Sequence, residues 1–436
     1  MKIIRSWKQE DIPTLETLFR SANGYLDVRC APEEGPVPGS SRVSHLHVRV
    51  EMLEDPYRLQ FVRVDVPDAQ TTRLFADGVP YAMFSEDTVS RIQELDTQVG
   101  CSTRASVWQL PQGTLLVRFY RMASTEIPGL FLQRMQLESL TYEGILRIET
   151  EVDAGSSDGN RALKDVEASI EENEGLIVCR SRDIRVACRS AEGCSLPGGC
   201  TVGDGRISGV YEGRVHPGDK IRLNRLAVYA DGVTFADPVE TVRAMMTEAR
   251  QLGGEELVRR EHKKLAAWSR RMMPMLSAPA PLEDMLDFSV YQLARSVGLN
   301  RLDDVLRGAV LLTADQKQRC MNEFLAGAGQ EAEYLTQDDE QSGKRMHSAH
   351  LIGAYAAMLG IAGVEADETH FSANPTMPEG WDGYVLPVLW QGRLIRISMS
   401  RCGAAAALLS GEPVEILWQG KALALGAGKP MGEPQA

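Results

Sequence analysis

Long apolar runs are missing from this sequence of 436 residues. No stretch reaches the roughly 20 apolar residues that span a bilayer, and residues 1–16 are polar and acidic where a secretory signal would be apolar. We therefore expect a cytoplasmic protein without a membrane partner. An excess of positive charge is missing too, since the formal net charge is -13. An acidic surface repels nucleic acid, so we expect no nucleic-acid partner.

Paired cysteine motifs are also absent. Cys188, Cys194 and Cys200 are evenly spaced, but no Cys-x-x-Cys pair exists and no His lies near them. Structural zinc sites are built from such ligand pairs. A metal site at these three residues is the lesser alternative, and ordinary free thiols in a reducing compartment are the preferred interpretation. We therefore predict no metal.

The first 235 or so residues carry the pattern of β-structure. Short apolar or alternating runs recur between turn signals, which is typical of an antiparallel sandwich. The turn signals are Asp77-Gly78, Gln112-Gly113, Asp158-Gly159 and Asp231-Gly232. The clearest strand patterns are residues 47–50, 58–64, 114–120, 144–148 and 175–179.

Good helix formers dominate the next part of the chain. Two helices are predicted over residues 238–252 and 255–272, separated by Gly253-Gly254. Apolar residues then recur at helical spacing over residues 282–297, and Gly298 and Asn300 can end that helix. Later helix signals are a capping box at Thr313 and Gln316 opening a helix through Phe324, and an Ala-rich helix over residues 349–359 closed by Gly360.

The tail returns to strands. Residues 395–399 alternate between apolar and polar side chains, as in a half-buried strand. Residues 414–418 and 421–425 flank Gln419-Gly420 and predict a hairpin. We predict a mixed, β-rich fold in five parts: an N-terminal antiparallel β-sandwich (1–235), linker helices (236–275), a reduced helical segment (276–368), a small C-terminal β-domain (369–428) and a loose tail (429–436).

Seven short segments share one order with a known family. They are Leu15–Arg29, which contains Asn23-Gly24-Tyr25, then Glu33-Glu34-Gly35, Leu95–Arg104, Gln133-Arg134, His262 with Trp268, Met377–Trp381 and Gln391–Arg393. In this order they resemble glycoside hydrolase family 65, which contains the maltose, trehalose and kojibiose phosphorylases. The resemblance implies a β-sandwich, linker helices, an (α/α)6 barrel of twelve helices and a small C-terminal β-domain.

The same resemblance implies a reaction. It is inverting phosphorolysis of an α-glucoside, in which a carboxylic acid protonates the departing oxygen while inorganic phosphate, the co-substrate, attacks the opposite face. No metal or organic cofactor is required. Phe288–Leu293 resembles an early barrel helix and Asp303–Val305 a late one, and only Ala294–Leu302 lies between them. We therefore expect most of the barrel, including the catalytic acid, to be missing, so the catalytic residues stay unknown.

Two sets of binding residues are predicted. Residues 342–350 stand where the family resemblance implies a phosphate loop, and their anion-binding candidates are Lys344, Arg345, His347, Ser348 and His350. The alternative is a solvated basic helix start. Sugar rings stack on aromatic faces, so the candidate carbohydrate platforms are Trp108, Tyr120, Trp381 and Trp390. The alternative for each of these four is a place in the core.

Function is therefore predicted in two forms. The preferred form is a catalytically degenerate protein that binds an α-linked disaccharide or another carbohydrate, or that serves in assembly as a homo-oligomer. The alternative is an active inverting α-glucoside phosphorylase or hydrolase with a reduced site. Phosphate-dependent release of glucose 1-phosphate discriminates between them.

Overall fold

A computed structural model of the chain describes residues 2–5, 12–35, 37, 40, 42–52, 55–97, 99–155, 163–278, 280–327 and 353–426. The chain divides into two compact units, Lys2–Lys263 and Lys264–Ala436. Over the described ranges, no helix combines the length and the apolar character needed to cross a bilayer.

The first unit is built on antiparallel strands. They are β1 (Lys2–Arg5), β2 (Ser21–Ala22), β3 (Leu26–Val28), β4 (Ser44–Met52), β5 (Asp55–Asp65), β6 (Asp68–Ala76), β7 (Val79–Pro80), β8 (Thr88–Asp96), β9 (Cys101–Leu110), β10 (Gly113–Ala123), β11 (Leu130–Ser139), β12 (Gly144–Asp153), β13 (Leu163–Glu171), β14 (Glu174–Ser181), β15 (Ile184–Cys194), β16 (Gly198–Gly203), β17 (Arg206–Val215) and β18 (Lys220–Asp231).

These strands form three sheets. The largest has the order β1-β8-β9-β10-β11-β18-β15-β14-β13, the second β16-β17-β12-β6-β7 and the third β2-β3-β4-β5. Many successive strands pair as hairpins, whereas β1 lies beside β8, β11 and β15 beside β18, and β6 and β17 beside β12. Apolar side chains from the facing sheets fill two cores between them.

Two helices follow from this part of the chain: α1 (Ile12–Leu18) lies within the unit, and α2 (Pro238–Met272) begins in it and ends beyond the boundary at residue 263. The predicted break at Gly253-Gly254 is a kink inside α2, where Gly253 has φ 72 and ψ 155. Before the kink, Val242, Met246 and Ala249 pack on the outer face of the largest sheet. That apolar stripe explains why α2 lies along the sheet rather than in solvent.

The second unit contains four helices and two small sheets among its described residues. They are α3 (Ala280–Val297), α4 (Leu299–Val310), α5 (Ala314–Gly327), α6 (353–361), β19 (Met275–Ser277), β20 (Glu365–Ala366), β21 (Phe371–Ala373), β22 (Gly383–Trp390), β23 (Arg393–Ser400), β24 (Gly403–Ser410), β25 (Val414–Trp418) and β26 (Lys421–Leu425).

Strand order in the second unit is β19-β22-β23-β24 in one sheet and β20-β21-β25-β26 in the other. The pairing of β21 with β25 is parallel. One hydrophobic core is shared by the helices and both sheets. The predicted β-rich class, with a large antiparallel sandwich, a short helical part and a small C-terminal β-domain, is confirmed.

Local sequence signals account for several turns and caps. Gln419 and Gly420 have φ 49 and φ 79, as a type I′ hairpin turn requires, and they join β25 to β26 as predicted. The predicted capping box is present, since Thr313 N donates to Gln316 Oε1 at 2.9 Å and Gln316 N donates to Thr313 Oγ1 at 3.3 Å.

Two helix ends differ from the prediction. Asn300 does not end a helix, because Gly298 alone separates α3 from α4 and Asn300 lies in the first turn of α4. Gly360 lies inside α6, and the chain turns at Gly363, whose φ is 57. A Cβ atom on Gly363 would lie 2.4 Å from the carbonyl oxygen of Asn374, so only glycine fits that turn.

Candidate functional site

The predicted phosphate-binding residues lie outside the described part of the chain. Lys344, Arg345, His347, Ser348 and His350 all fall within residues 328–352. A phosphate site at these residues stays a prediction.

Three of the four predicted aromatic platforms are core side chains. Trp108 has 0% exposure and packs edge-to-face on Tyr81 at 5.3 Å. Trp381 and Trp390 are 5% and 4% exposed in the core of the second unit. A sugar ring therefore has no free face to stack on at these three residues. Tyr120 is different, because it is only half-buried on strand β10.

The surface around Tyr120 is the outer face of the largest sheet, where side chains form two rows across strands β10, β11 and β18. Tyr120, Arg134 and Asn224 make one row, because their Cα atoms are register partners. The next row, two residues further along each strand, follows the same register and consists of Arg118, Gln136 and Arg222. Tyr120 Oη donates a long hydrogen bond of 3.5 Å to Gln136 Oε1, which joins the two rows.

The kinked helix α2 lies along one side of this surface, and the helix and the sheet together form a groove of about 670 Å³. Its lining includes Arg134, Gln136, Arg222, Asn224, the glycines at the kink, and Glu255 with Glu256. Tyr120 is the register partner of Arg134 and lies beside this lining. Gly254 lies against the guanidinium of Arg134, since a Cβ atom at 254 would be 2.5 Å from Arg134 Nη2. The absent side chain at 254 therefore leaves the room in which the Arg134 guanidinium sits.

Some charged side chains around the groove have an ion-pair partner, and others have none among the described residues. In the described ranges, no ion pair or hydrogen bond engages the guanidinium groups of Arg134 and Arg222, which line the groove, or of Arg118 beside it. The carboxylate of Glu255 in the lining likewise has no such partner there. Glu256, by contrast, accepts hydrogen bonds from Arg259 and Arg260 at 2.6 Å and 2.9 Å. These two hydrogen bonds lower the pKa of Glu256 to about 2, so its carboxyl is ionised at neutral pH.

A second cleft of about 580 Å³ lies where the first half of α2 passes strands β13 to β15. Its charges are mutually paired. Arg243 binds Glu171 at 2.8 Å, and Arg189 binds both Glu171 and Glu174. Hydrogen bonds from Arg243 and Arg189 lower the pKa of Glu171. This cleft therefore offers a neutralised surface rather than free binding groups.

A cluster of metal-ligand residue types lies on the third sheet and was missed from the sequence. The signal was the His45-Leu46-His47 alternation, which puts both rings on one face of β4, and Asp27 is the register partner of His45. The Nε2 atoms of His45 and His47 lie 3.8 Å and 3.5 Å from Asp27 Oδ2.

Two guanidinium cations already satisfy this cluster. Arg20 donates to Asp27 Oδ2 at 3.0 Å, and Arg63 Nη2 lies 3.0 Å from His45 Nδ1. A guanidinium can only donate, so Nδ1 of His45 accepts and the ring proton is on Nε2, facing Asp27. With the proton on Nε2 and the Nδ1 lone pair accepting from Arg63, the neutral His45 ring has no free lone pair for a metal. We therefore describe these residues as a buried ion-pair cluster.

Comparison with family models identifies the first unit. The model for the "Glycosyl hydrolase family 65, N-terminal domain" matches residues 4–268, more than half of the chain. The chain belongs to glycosyl hydrolase family 65. The model for the C-terminal domain of family 65 matches residues 364–425.

Two curated family 65 relatives are phosphorylases. An alpha,alpha-trehalose phosphorylase of Thermoanaerobacter brockii is 20% identical in an alignment over 362 residues, which covers 74% of this chain and 44% of that protein. One of Geobacillus stearothermophilus is 25% identical in an alignment over 161 residues, which covers 34% of this chain and 21% of that protein. The chain thus spans less than half the length of these relatives.

A solved structure shares the fold over almost the whole chain. It is named "Putative kojibiose phosphorylase from human microbiome", with a TM-score of 0.78, 7% identity, and coverage of 99% of this chain and 98% of that one. At such low identity the likeness shows the fold alone.

The segments that resemble family 65 are framework in this structure. Asn23 Oδ1 accepts from the backbone N–H groups of Tyr25 and Leu26, and its Nδ2 donates to the carbonyl oxygens of Ser124 and Pro128. The Asn23 side chain therefore fixes the turn between β2 and β3 and ties it to a loop about 100 residues away.

Glu33 and Glu34 belong to a buried charge network. Arg121 Nε donates to Glu33 Oε1 at 2.7 Å, and Arg104 pairs with Glu33 and Glu34. Burial is the largest single effect on the pKa of Glu34 and raises it, but the charge of Arg104 and the hydrogen bonds that the carboxylate accepts together outweigh burial and lower that pKa. The two glutamates bridge elements of the sandwich. Removing one partner of such a network typically costs about 3–5 kcal/mol.

Proposed function

We propose that this family 65 chain binds a carbohydrate in the groove beside Tyr120 and does not turn it over. The proposal joins two lines of support, the chemistry of the groove and the state of the carboxylates near it. The first explains binding, and the second explains the lack of catalysis.

The groove and the Tyr120 ring beside it together carry the groups that hold sugars. A half-buried tyrosine ring gives a face on which a pyranose can stack, while guanidinium and amide groups next to it can bind hydroxyl groups. Tyr120 and Arg134 are neighbours across two strands, and Gln136 and Asn224 lie beside them. All four side chains project from paired strands, so the surface is largely formed before a ligand arrives.

Two carboxylates that line the clefts, Glu256 and Glu171, have the wrong protonation for glycoside cleavage. The departing oxygen needs a carboxylic acid whose pKa is raised toward neutrality. Paired arginines instead lower the pKa of Glu256 to about 2 and also lower the pKa of Glu171. Neither carboxyl group can supply the proton at neutral pH.

The distance between the two family domains also favours a reduced barrel. The matched ranges end at residue 268 and resume at residue 364, so residues 269–363 separate them. Twelve helices of ordinary length with their connections need about 180 residues. The intervening segment is roughly half of that, which supports the proposal that most of the barrel is missing.

Binding is tested by isothermal titration calorimetry of the full chain with maltose, trehalose and kojibiose. Tyr120→Ala removes the ring and is expected to weaken sugar binding at least tenfold, while Tyr120→Phe keeps the ring and retains most of the affinity. An exposed arginine on the second sheet, Arg147, provides the control Arg147→Ala. Affinity that does not change in Tyr120→Ala would place the sugar elsewhere.

Turnover is tested separately, by incubating the same three disaccharides with inorganic phosphate and measuring glucose 1-phosphate. We expect no product above the background of a boiled sample. Steady phosphate-dependent release would overturn the proposal and support the active phosphorylase instead. Light scattering under the same conditions tests the predicted homo-oligomer.

A further inference from the structure

The groove beside Tyr120 has an excess of unpaired positive charge. We propose that its ligand is an anionic carbohydrate, a sugar that carries a phosphate or a carboxylate, held by Arg134 and Arg222. This inference rests on the proposed function and names the chemical class of the ligand.

The arginines are neighbours on one face of the sheet. Arg134 on β11 has Asn224 as its register partner on β18, and Arg222 lies two residues along β18 from Asn224. Arg134 and Arg222 are therefore diagonal neighbours on one sheet face, a spacing of about 7–8 Å that long side chains bridge. Arg118 is the diagonal neighbour of Arg134 on the other side. An oxyanion above Arg134 is within reach of a second guanidinium from either side.

Their lack of partners distinguishes these arginines from most of the exposed ones nearby. Arg243, Arg250, Arg259 and Arg260 on α2 all pair with carboxylates. Over the residues that the structure describes, Arg118, Arg134 and Arg222 have no such carboxylate. A group of uncompensated cations attracts an external anion at short range, although the chain as a whole carries a net charge of -13.

Arg134 also has an unused donor. Its Nε atom is buried without a hydrogen-bond partner among the described residues. The missing side chain of Gly254 leaves room for the guanidinium, since a Cβ atom there would be 2.5 Å from Nη2. Planar guanidinium groups bind carboxylate and phosphate oxygens in pairs, so Arg134 is suited to an oxyanion.

The neighbouring ring indicates that the anion is attached to a sugar. Tyr120 is the register partner of Arg134, so a ring that stacks on the tyrosine puts an attached oxyanion over the guanidinium. The groove volume of about 670 Å³ lies within the usual range for small-molecule sites. An inorganic anion bound at Arg134 would make no contact with the side chains of Tyr120, Gln136 and Asn224.

Titration calorimetry of the full chain with four probes tests the inference: glucose 6-phosphate, glucuronate, glucose and inorganic phosphate. We expect one or both anionic sugars to bind at least tenfold more tightly than glucose and than inorganic phosphate. Raising NaCl from 50 to 500 mM should weaken that binding several-fold, because salt screens exposed charges. The phosphate and carboxylate sugars distinguish the two sources of the oxyanion.

Variants then locate the site. Arg134→Gln and Arg222→Gln should each reduce the affinity for the anionic sugar about tenfold, and Gly254→Ala should reduce it by displacing the Arg134 guanidinium. The matched control is Arg185→Gln, an exposed arginine of the same unit outside the groove, which should bind as the unaltered chain does. Arg222 is exposed, so its variant is expected to fold even if Arg134→Gln does not.

Three results would overturn the inference. Equal affinity for glucose and the anionic sugars would leave the proposed carbohydrate site intact but remove its anion preference. Tight binding of inorganic phosphate that Tyr120→Ala does not change would indicate a site for anions only. No binding of these four probes or of maltose, trehalose and kojibiose would defeat the proposed function itself.

Discussion

Lys317 on α5 provides the sharpest quantitative prediction, because it is a buried lysine without a carboxylate partner among the described residues. It is 2% exposed. Its Nζ donates to the carbonyl oxygens of Val310 at 2.7 Å and of Val364 at 2.8 Å. Burial lowers the pKa of Lys317 to about 8, against a weaker opposing effect of Glu365.

The sign of the pH effect follows from proton binding. Between pH 8 and the ordinary lysine pKa near 10.4, the unfolded chain binds a proton at Lys317 that the folded chain does not. The free energy of unfolding contributed by this residue therefore rises with pH across that window. From pH 7 to pH 10 the increase amounts to about 2.5 kcal/mol.

The perturbation is Lys317→Met, which keeps the aliphatic stem and removes the titrating amine. At pH 7 two effects oppose each other in this variant. It avoids burying a charged amine, which costs about 3 kcal/mol, but it leaves two carbonyl groups without donors, at about 1–3 kcal/mol each. At pH 10 only the loss of hydrogen bonds remains. The variant should therefore be about 2.5 kcal/mol more destabilised, relative to the unaltered chain, at pH 10 than at pH 7.

Urea unfolding followed by tryptophan fluorescence measures this difference, since four tryptophans report on the second unit: Trp268, Trp381, Trp390 and Trp418. Lys421→Met, at an exposed lysine of β26, is the control and should show no such change between the two pH values. If Lys317→Met were equally destabilised at pH 7 and pH 10, the assignment of a buried, easily neutralised amine would be refuted.

Three further predictions concern buried polar groups. Burial is the main cause that lowers the pKa of His45 well below its usual value, so the unfolded chain takes up the proton first as pH falls below about 6.5, and stability is lost there. In His45→Gln the loss between pH 7 and pH 5 should shrink by up to about 2 kcal/mol, and urea unfolding that shows an unchanged slope would contradict this. Replacing Asn23 with Ala removes donors from two loop carbonyls and should cost about 2–4 kcal/mol, measured as a fall in Tm; an unaltered Tm would mean that water replaces the amide. Tyr355→Phe removes a 2.7 Å hydrogen bond to the carbonyl of Pro387 and should cost about 1–3 kcal/mol in urea unfolding, while Tyr384→Phe, whose bond is 3.4 Å long, should cost less.

The sequence alone determined the features that depend on neighbours along the chain. The I′ turn at Gln419-Gly420, the capping box at Thr313 and the apolar face of α3 follow from φ preferences, short-range hydrogen bonds and helical spacing. The order of its short motifs was also enough to predict the family. These local signals do not depend on which elements pack against each other in the folded chain.

Tertiary structure decided which strands and side chains become neighbours in space. Strand β11 pairs with β18, about 90 residues away, and only that pairing brings Arg134 beside Asn224 and diagonal to Arg222. The same packing put Trp108 in the core and left Tyr120 half-exposed, although both are aromatic residues in neighbouring strands. A strand pattern shows that side chains alternate between two faces, but which face meets a second sheet depends on long-range pairing that no local pattern encodes.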